Sequence, residues 1–327
     1  MMEKKIYGAL YPLSRALEKK PNDIREISKR ILTILFTIAP MLAIVPWFVF
    51  GKCLIGIGNV FQTHKFYYKV KESLKKTSKI FYLNSCMLPG SLPFQYAGLS
   101  SADARMERLI SMILENNPDV LCLHEFSRDL HRPMIDMLID KYENFIYDPY
   151  PSLIQENSFF IACREQLIKL PNFVLFNTNR SWERYGFMLF ETSNAYFICT
   201  QLIDKNQEIQ LAQLTQILHY LEMACHGKKI VLMGDFKFER DTEAYKMLMN
   251  KGFVDKGAQE DTTCTNAMKI HMHQLDEPIT SKSTDYMLIL DSNNESQHFQ
   301  LHLLNTYSEE ALVTSLSDHK VILGVLA

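Results

Sequence analysis

The chain has no Cys-x-x-Cys pair, no glycine-rich phosphate loop, no internal repeat and no low-complexity tract. Its seven cysteines are odd in number and scattered singly, without metal-ligand spacing, so they read as reduced thiols in a reducing compartment. Without a phosphate loop, nucleotide-fold readings are weak. Beyond residue 80 there is also no basic cluster of the kind a nucleic-acid groove needs. The first 80 residues hold 15 of the 35 Lys and Arg but 5 of the 37 Asp and Glu, which leaves 20 against 32 for the remainder. A basic front and an acidic main body point to an anionic surface, such as a membrane, meeting the front.

What is present is apolar: 47% of 327 residues are hydrophobic, ample for a large α/β core. Residues 31–50, "ILTILFTIAPMLAIVPWFVF", carry no charge and match the length that crosses a bilayer. The run starts too late and is too long for a cleaved signal peptide. Pro40 and Pro46 interrupt a simple helix, and both flanks are basic, so a single span and a re-entrant hairpin both stand. The expected organisation is a basic N-terminal segment (1–30), a membrane-embedded helix or hairpin (31–58), a basic linker (59–79) and one large domain (80–327). The large domain would face the cytoplasmic, reducing side of a membrane.

Within that domain, "KIFYLNSC" and "PDVLCLHEF" read as strands, and 101–117 as a helix burying Met106, Leu109, Ile110, Ile113 and Leu114. Further strands are expected in "NSFFIACR", "GFMLFE", "AYFICTQL", "IVLMGDF", "TDYMLIL" and "KVILGVLA", with an amphipathic helix over 206–224. Cys122, Cys163 and Cys199 lie in these runs and read as small buried side chains. Polar residues recur where strands end: Asn84, Glu125, Asp235, Asp285, Asp318 and His319. Each alone is more often a turn or cap residue, but strand ends of layered α/β proteins are where sites are built. In "VLMGDFKFER", Gly234 reads as a turn. Extended geometry would set Asp235 and Lys237 on one side, with Phe236 and Phe238 on the other.

Taken in order and spacing, Asn84 in "YLNSC", Glu125 in "LCLHEF", Asp235 in "GDF", Asp285 in "TDYML" and "SDH" at 317–319 resemble the endonuclease/exonuclease/phosphatase superfamily. The likeness covers about 250 residues and is greatest to the neutral sphingomyelinase-like branch, through "LNSCMLPG", "NSFFIACR", "GDFKFER" and "DYML". It implies a four-layer α/β sandwich and a Mg²⁺-dependent phosphodiesterase that releases a phospholipid headgroup at a membrane. It further implies Glu125 as metal ligand, assisted by Asn84 and with Asp318 close to the metal. Asp235 would be the base for water, and His319, oriented by Asp285, would stabilise charge on phosphorus or protonate a leaving group. Asn157 would contact phosphate. A hard cation that keeps several waters suits this oxygen-rich set. Alternation turns His124 to the opposite face from Glu125, packed or at the surface, and His271 and His273 lack the companions of a metal site.

Two positions depart from the pattern. Lys237 stands where the family has asparagine, and Gln201 stands where sphingomyelinase-like members have histidine. An ammonium only donates, and a glutamine cannot carry an imidazolium's charge. Lys237 either supports a charged phosphoryl group, weakens Asp235 as a base, or is a surface pair. Three readings follow: a lipid phosphodiesterase, a nuclease or inositol-phosphate phosphatase on the same fold, or a catalytically impaired member that binds lipid or protein. The charge distribution disfavours nucleic acid.

Overall fold

Strands that are apolar on both faces need cover on both sides, and this chain supplies it with two stacked sheets between outer helices. The structure is a computed structural model that describes residues 67–69, 78–87, 102–126, 130–147, 159–178, 185–203, 206–257, 261–264, 281–291, 299–306 and 316–326. In chain order the elements are β1 (Tyr67–Lys69), β2 (Lys79–Met87), α1 (Ala102–Asn116), β3 (Val120–Phe126), α2 (His131–Leu138), β4 (Asn144–Tyr147), β5 (Phe159–Cys163), β6 (Asn172–Leu175), β7 (Gly186–Glu191), β8 (Ala195–Gln201), α3 (Gln207–Ala224), β9 (Lys229–Asp235), α4 (Glu243–Asn250), β10 (Val254–Asp255), β11 (Thr263–Cys264), β12 (Ser281–Lys282), β13 (Asp285–Leu290), β14 (Gln300–Leu304) and β15 (Val321–Val325).

One sheet runs β1-β4-β5-β3-β2-β15-β14 and the other β10-β13-β9-β8-β7-β6, with β11 and β12 forming a separate ribbon. Each sheet is mixed: β2 with β3 and β8 with β9 pair in parallel, whereas flanking pairs such as β15 with β2 and β13 with β9 are antiparallel. A parallel neighbour requires a crossover connection, and α1 and α3 lie within those two.

Period-two alternation sorts the side chains into three apolar layers. Tyr82, Val120, Cys122 and Cys163 meet Phe197, Cys199, Val231, Met233 and Met287 between the sheets. Phe81, Leu83, Leu121 and Leu123 pack outward onto α1 and α2. Ile198, Leu232, Tyr286 and Leu288 pack onto α3 and α4. The result is helix, sheet, sheet, helix. Each fully buried Leu, Ile, Val or Phe adds about 1.5–3 kcal/mol of transfer free energy.

The α1 stripe holds at Met106, Leu109, Ile110 and Ile113, but Leu114 is 42% exposed and lies off the buried face. Asn206 caps α3 by accepting the Ile209 N–H at 3.0 Å. Cys122, Cys163 and Cys199 are buried in the inter-sheet layer. Among the described residues no helix is long and apolar enough to cross a membrane, and residues 31–58 lie outside the described residues.

Candidate active site

The same alternation that fills the inter-sheet layer leads to a polar mouth at one end of it. Ile80 and Tyr82 face the second sheet, so Asn84 continues their row; Phe197 and Cys199 lead in the same way to Gln201, and Val231 and Met233 to Asp235. Register completes the set, with Asp285 directly opposite Asp235 on β13 and Gln201 beside Asp235 on β8. Asn84, Gln201, Asp235, Asp285 and His319 are all buried.

Glu125 breaks the alternation. Strict counting would send it outward with Leu121 and Leu123, yet its backbone is left-handed (φ 50°). The pairing of β2 with β3 is irregular between Asn84 and Met87, where Cys86 also has φ 50°. Such irregularities re-aim side chains, and the Glu125 carboxylate turns to accept from Asn84 at 3.0 Å and Gln201 at 2.7 Å. A non-glycine residue in this region costs about 1–3 kcal/mol unless its surroundings hold it there.

Buried Arg105 of α1 supplies part of that hold, donating to the carbonyls of Ser85 (3.0 Å), Cys86 (2.7 Å) and Leu316 (2.6 Å). Ser317 donates to the Asn84 carbonyl at 2.7 Å and accepts the His319 N–H at 3.1 Å, tying the last loop to β2. Gly234 is not the turn expected from sequence. It lies inside β9, where an added Cβ would fall 1.9 Å from the Thr200 carbonyl oxygen, so its role is close approach of β8 to β9.

The polar groups form two linked sets. In the first, Asn84 Nδ2 donates to Asp235 Oδ2 at 3.0 Å as well as to Glu125. The Lys237 ammonium pairs with Asp235 Oδ2 and stands 3.8 Å from Glu125 Oε1. Lys237 does not continue the strand: its φ is 58°. Its N–H reaches Asp235 Oδ1 at 3.3 Å, and Gln210 of α3 donates to its carbonyl at 3.3 Å. Phe236 and Phe238 are buried in the outer layer, as alternation suggested. Burial pushes the Asp235 carboxyl up, but the charges of Lys237 and His319 and the Asn84 bond outweigh it and hold the group below its ordinary range. Burial pulls the Lys237 ammonium down, and Asp235 and Glu125 more than reverse that.

In the second set, Asp285 Oδ2 lies 2.8 Å from His319 Nδ1 and accepts from Thr263 at 2.7 Å, while Tyr82 donates to Asp285 Oδ1 at 3.1 Å. Burial alone would lower the His319 imidazole, but Asp285 and Asp318 raise it to about 10, so it is an imidazolium at neutral pH. Asp318 Oδ1 is 3.9 Å from His319 Nε2. An Asp and an imidazolium thus occupy one small mouth, with the imidazole held at Nδ1.

Sequence reasoning passed over Tyr82 and Thr263. Tyr82 precedes Asn84 by two and so shares its face, a signal that was available; Thr263 lies in a segment with no periodicity to place it. His124 is buried edge-on to Tyr82, on the side to which the Glu125 carboxylate is turned and not on the opposite face expected from alternation. Asn157, His271 and His273 lie outside the described residues.

For a metal, Asp235, Asp285 and His319 offer ligand atoms within 4.8 Å of one another, though each is already engaged by the partners just named. Glu125 presents a second oxygen, Oε2, that accepts no hydrogen bond among the described residues, on a side chain 17% exposed. That oxygen fits a hard cation that keeps most of its waters. Asn84 directs its nitrogen at the carboxylates, while its oxygen accepts the Cys86 N–H at 3.2 Å.

The two-sheet sandwich is a fold that this chain shares with several solved proteins. Solved structures that this one resembles include an endonuclease/exonuclease/phosphatase from Bacteroides vulgatus (TM-score 0.58, 13% identity, 77% of this chain and 99% of that one). Sphingomyelinase C from Streptomyces griseocarneus matches with TM-score 0.56 at 13% identity, over 77% of this chain and 100% of that one. Truncated TDP2 from Caenorhabditis elegans matches with TM-score 0.53 at 14% identity, over 76% and 98%. No family model and no curated protein matches the sequence.

Proposed function

We propose that this protein is a membrane-anchored hydrolase of phosphoric diesters that releases the headgroup of a phospholipid. The observation that carries the reading is the buried mouth itself, where a carboxylate (Asp235), a held imidazolium (His319) and an outward carboxylate oxygen (Glu125) converge on a fold shared with a sphingomyelinase. The uncharged run at 31–50, its basic flanks and the acidic remainder favour a lipid surface over nucleic acid.

In this reading Asp235 takes a proton from water as its oxygen bonds to phosphorus. The bond from phosphorus to the lipid oxygen breaks, and His319 supplies the proton that the lipid alcohol needs. Asp285 and Thr263 fix the imidazole at Nδ1, so Nε2 is the atom that donates. Gln201 and Lys237 place donors at the phosphoryl oxygens. Glu125, with Asp318 nearby, would hold Mg²⁺, whose chemistry when bound is to neutralise phosphate charge. Asn157 would contact the same phosphate.

The Lys237–Asp235 ion pair favours one further reading, in which the site binds a phosphorylated headgroup without cleaving it, because a carboxylate held ionised by an ammonium is a weak base. The test is turnover of a phospholipid panel, sphingomyelin included, by the full chain in mixed micelles with Mg²⁺. Headgroup release that disappears in Asp235→Asn supports the hydrolase. Absence of release from every lipid, with turnover gained only when Lys237→Asn is joined to Gln201→His, supports the binding reading.

A further inference from the structure

The two acidic groups at the centre of the mouth share a cation that the chain itself provides. The Lys237 ammonium pairs with Asp235 Oδ2 and lies 3.8 Å from Glu125 Oε1, and Asn84 Nδ2 donates to the same two oxygens. The lysine side chain is 23% exposed, so its charge acts in a partly desolvated setting and is poorly screened. Its backbone is unusual for its residue type. With φ 58° it occupies the left-handed region, which asparagine and glycine adopt more cheaply than lysine. Asp235 and Gln210 hold that backbone from both sides. The turn therefore suits a short amide side chain, yet it carries a long cationic one that reaches back over the carboxylates.

We propose that Lys237 is a tethered cation standing in for part of the charge that a divalent ion brings to such a mouth. Because of it, the protein binds a phosphate group without metal and binds the divalent ion itself weakly. Two observations carry this, the ammonium's place against both carboxylates and the occupied state of one Glu125 oxygen. Glu125 Oε1 already accepts from Asn84 and Gln201 and has the ammonium 3.8 Å away, so a metal would meet Oε2 next to an existing positive charge. Repulsion between like charges a few ångströms apart lowers metal affinity by about a decade or more even after solvent screening. The inference rests on the phosphate-handling reading above, but it concerns binding and not turnover.

The test uses the full chain in detergent as wild type, Lys237→Asn, Lys237→Gln and Lys237→Arg, each first checked for a cooperative melt. Mn²⁺ binding is read by water-proton relaxation. Inorganic phosphate and phosphocholine are titrated by calorimetry in the presence of chelator. The expected result is Mn²⁺ bound about tenfold or more tightly by Lys237→Asn and Lys237→Gln than by wild type. Metal-free anion binding should be present in wild type, kept by Lys237→Arg, and weakened about tenfold or more in both neutral variants. Tighter binding of phosphocholine than of phosphate would name a headgroup as the source; the reverse would name free phosphate. Equal Mn²⁺ affinity in wild type and the neutral variants, or metal-free anion binding that is absent from wild type or indifferent to residue 237, overturns the proposal. Shifts as expected with no lipid turnover would sink the hydrolase reading and leave this one standing.

Discussion

At the end of the sandwich remote from the mouth, Asp119 sits just before β3 and accepts the N–H groups of Ser78 and Lys79 at 3.0 Å and the Ser78 hydroxyl at 2.8 Å. Glu191, at the end of β7, is held by Lys228 at 2.7 Å and Lys169 at 3.3 Å, and Glu165 accepts the Ser193 N–H at 2.7 Å. At the mouth end, carboxylates are just as buried, but their donors are mainly side chains: Asn84, Gln201, Lys237, Tyr82, Thr263 and His319. Asp119 and Glu165 fasten a strand start and a turn through backbone N–H groups and serine hydroxyls, and Glu191 pairs with two lysines. The carboxylates at the mouth hold one another's side chains in place, and the groups they orient converge on one small volume. Burial of an acid therefore does not mark a site; convergence of the side chains it orients on one volume does.

Substitutions at the two ends should separate these uses. The largest effect expected is on turnover: Asp235→Asn should lower headgroup release by a factor of about 10²–10⁴ while the variant still melts cooperatively. Next, Asp119→Ala should destabilise the fold by about 2–4 kcal/mol in a denaturant titration, because it leaves two backbone N–H groups without their acceptor and removes the carboxylate beside the Arg164 guanidinium. Turnover per folded molecule should stay near wild type. If Asp119→Ala abolished turnover while leaving stability unchanged, the contrast between the ends would be wrong.

The pH dependence sharpens the same contrast. His319 is raised in the folded state, so the stability it contributes is complete below the ordinary imidazole value and is lost as pH rises through about 10. Asp235 is lowered, so its contribution is complete above the ordinary carboxylate range and is lost as pH falls through its depressed value. Unfolding free energy should decline from neutral pH toward pH 10, and His319→Gln should flatten that limb. The smallest effect belongs to the exposed Lys282–Glu239 pair, where Lys282→Ala should change stability by less than about 0.5 kcal/mol.

Much of the architecture was legible in the order of residues. Period-two runs located β2, β3, β5, β7, β8, β9, β13 and β15, and 3.6-residue stripes located α1 and α3, because those elements bury whole faces. The short β4, β6 and β14 and the eight-residue α2 and α4 were missed, since each carries too few periodic positions to stand out from its neighbours. Alternation also placed Asn84, Gln201, Asp235 and Asp285 on the face they occupy. The two residues that give the mouth its character, Glu125 and Lys237, escape that count: each is turned by a left-handed backbone that no apolar pattern announces.

The sequence by itself determined the layers and the order in which polar residues close the strands, because alternation follows from backbone geometry and the cost of exposing apolar surface. Only the tertiary structure decided that Asp235 and Asp285 lie opposite each other, that Thr263 reaches His319, and that Lys237 folds back between Asp235 and Glu125. Those meetings join residues far apart in the chain, and they depend on sheet register and on single backbone torsions, which local composition does not encode.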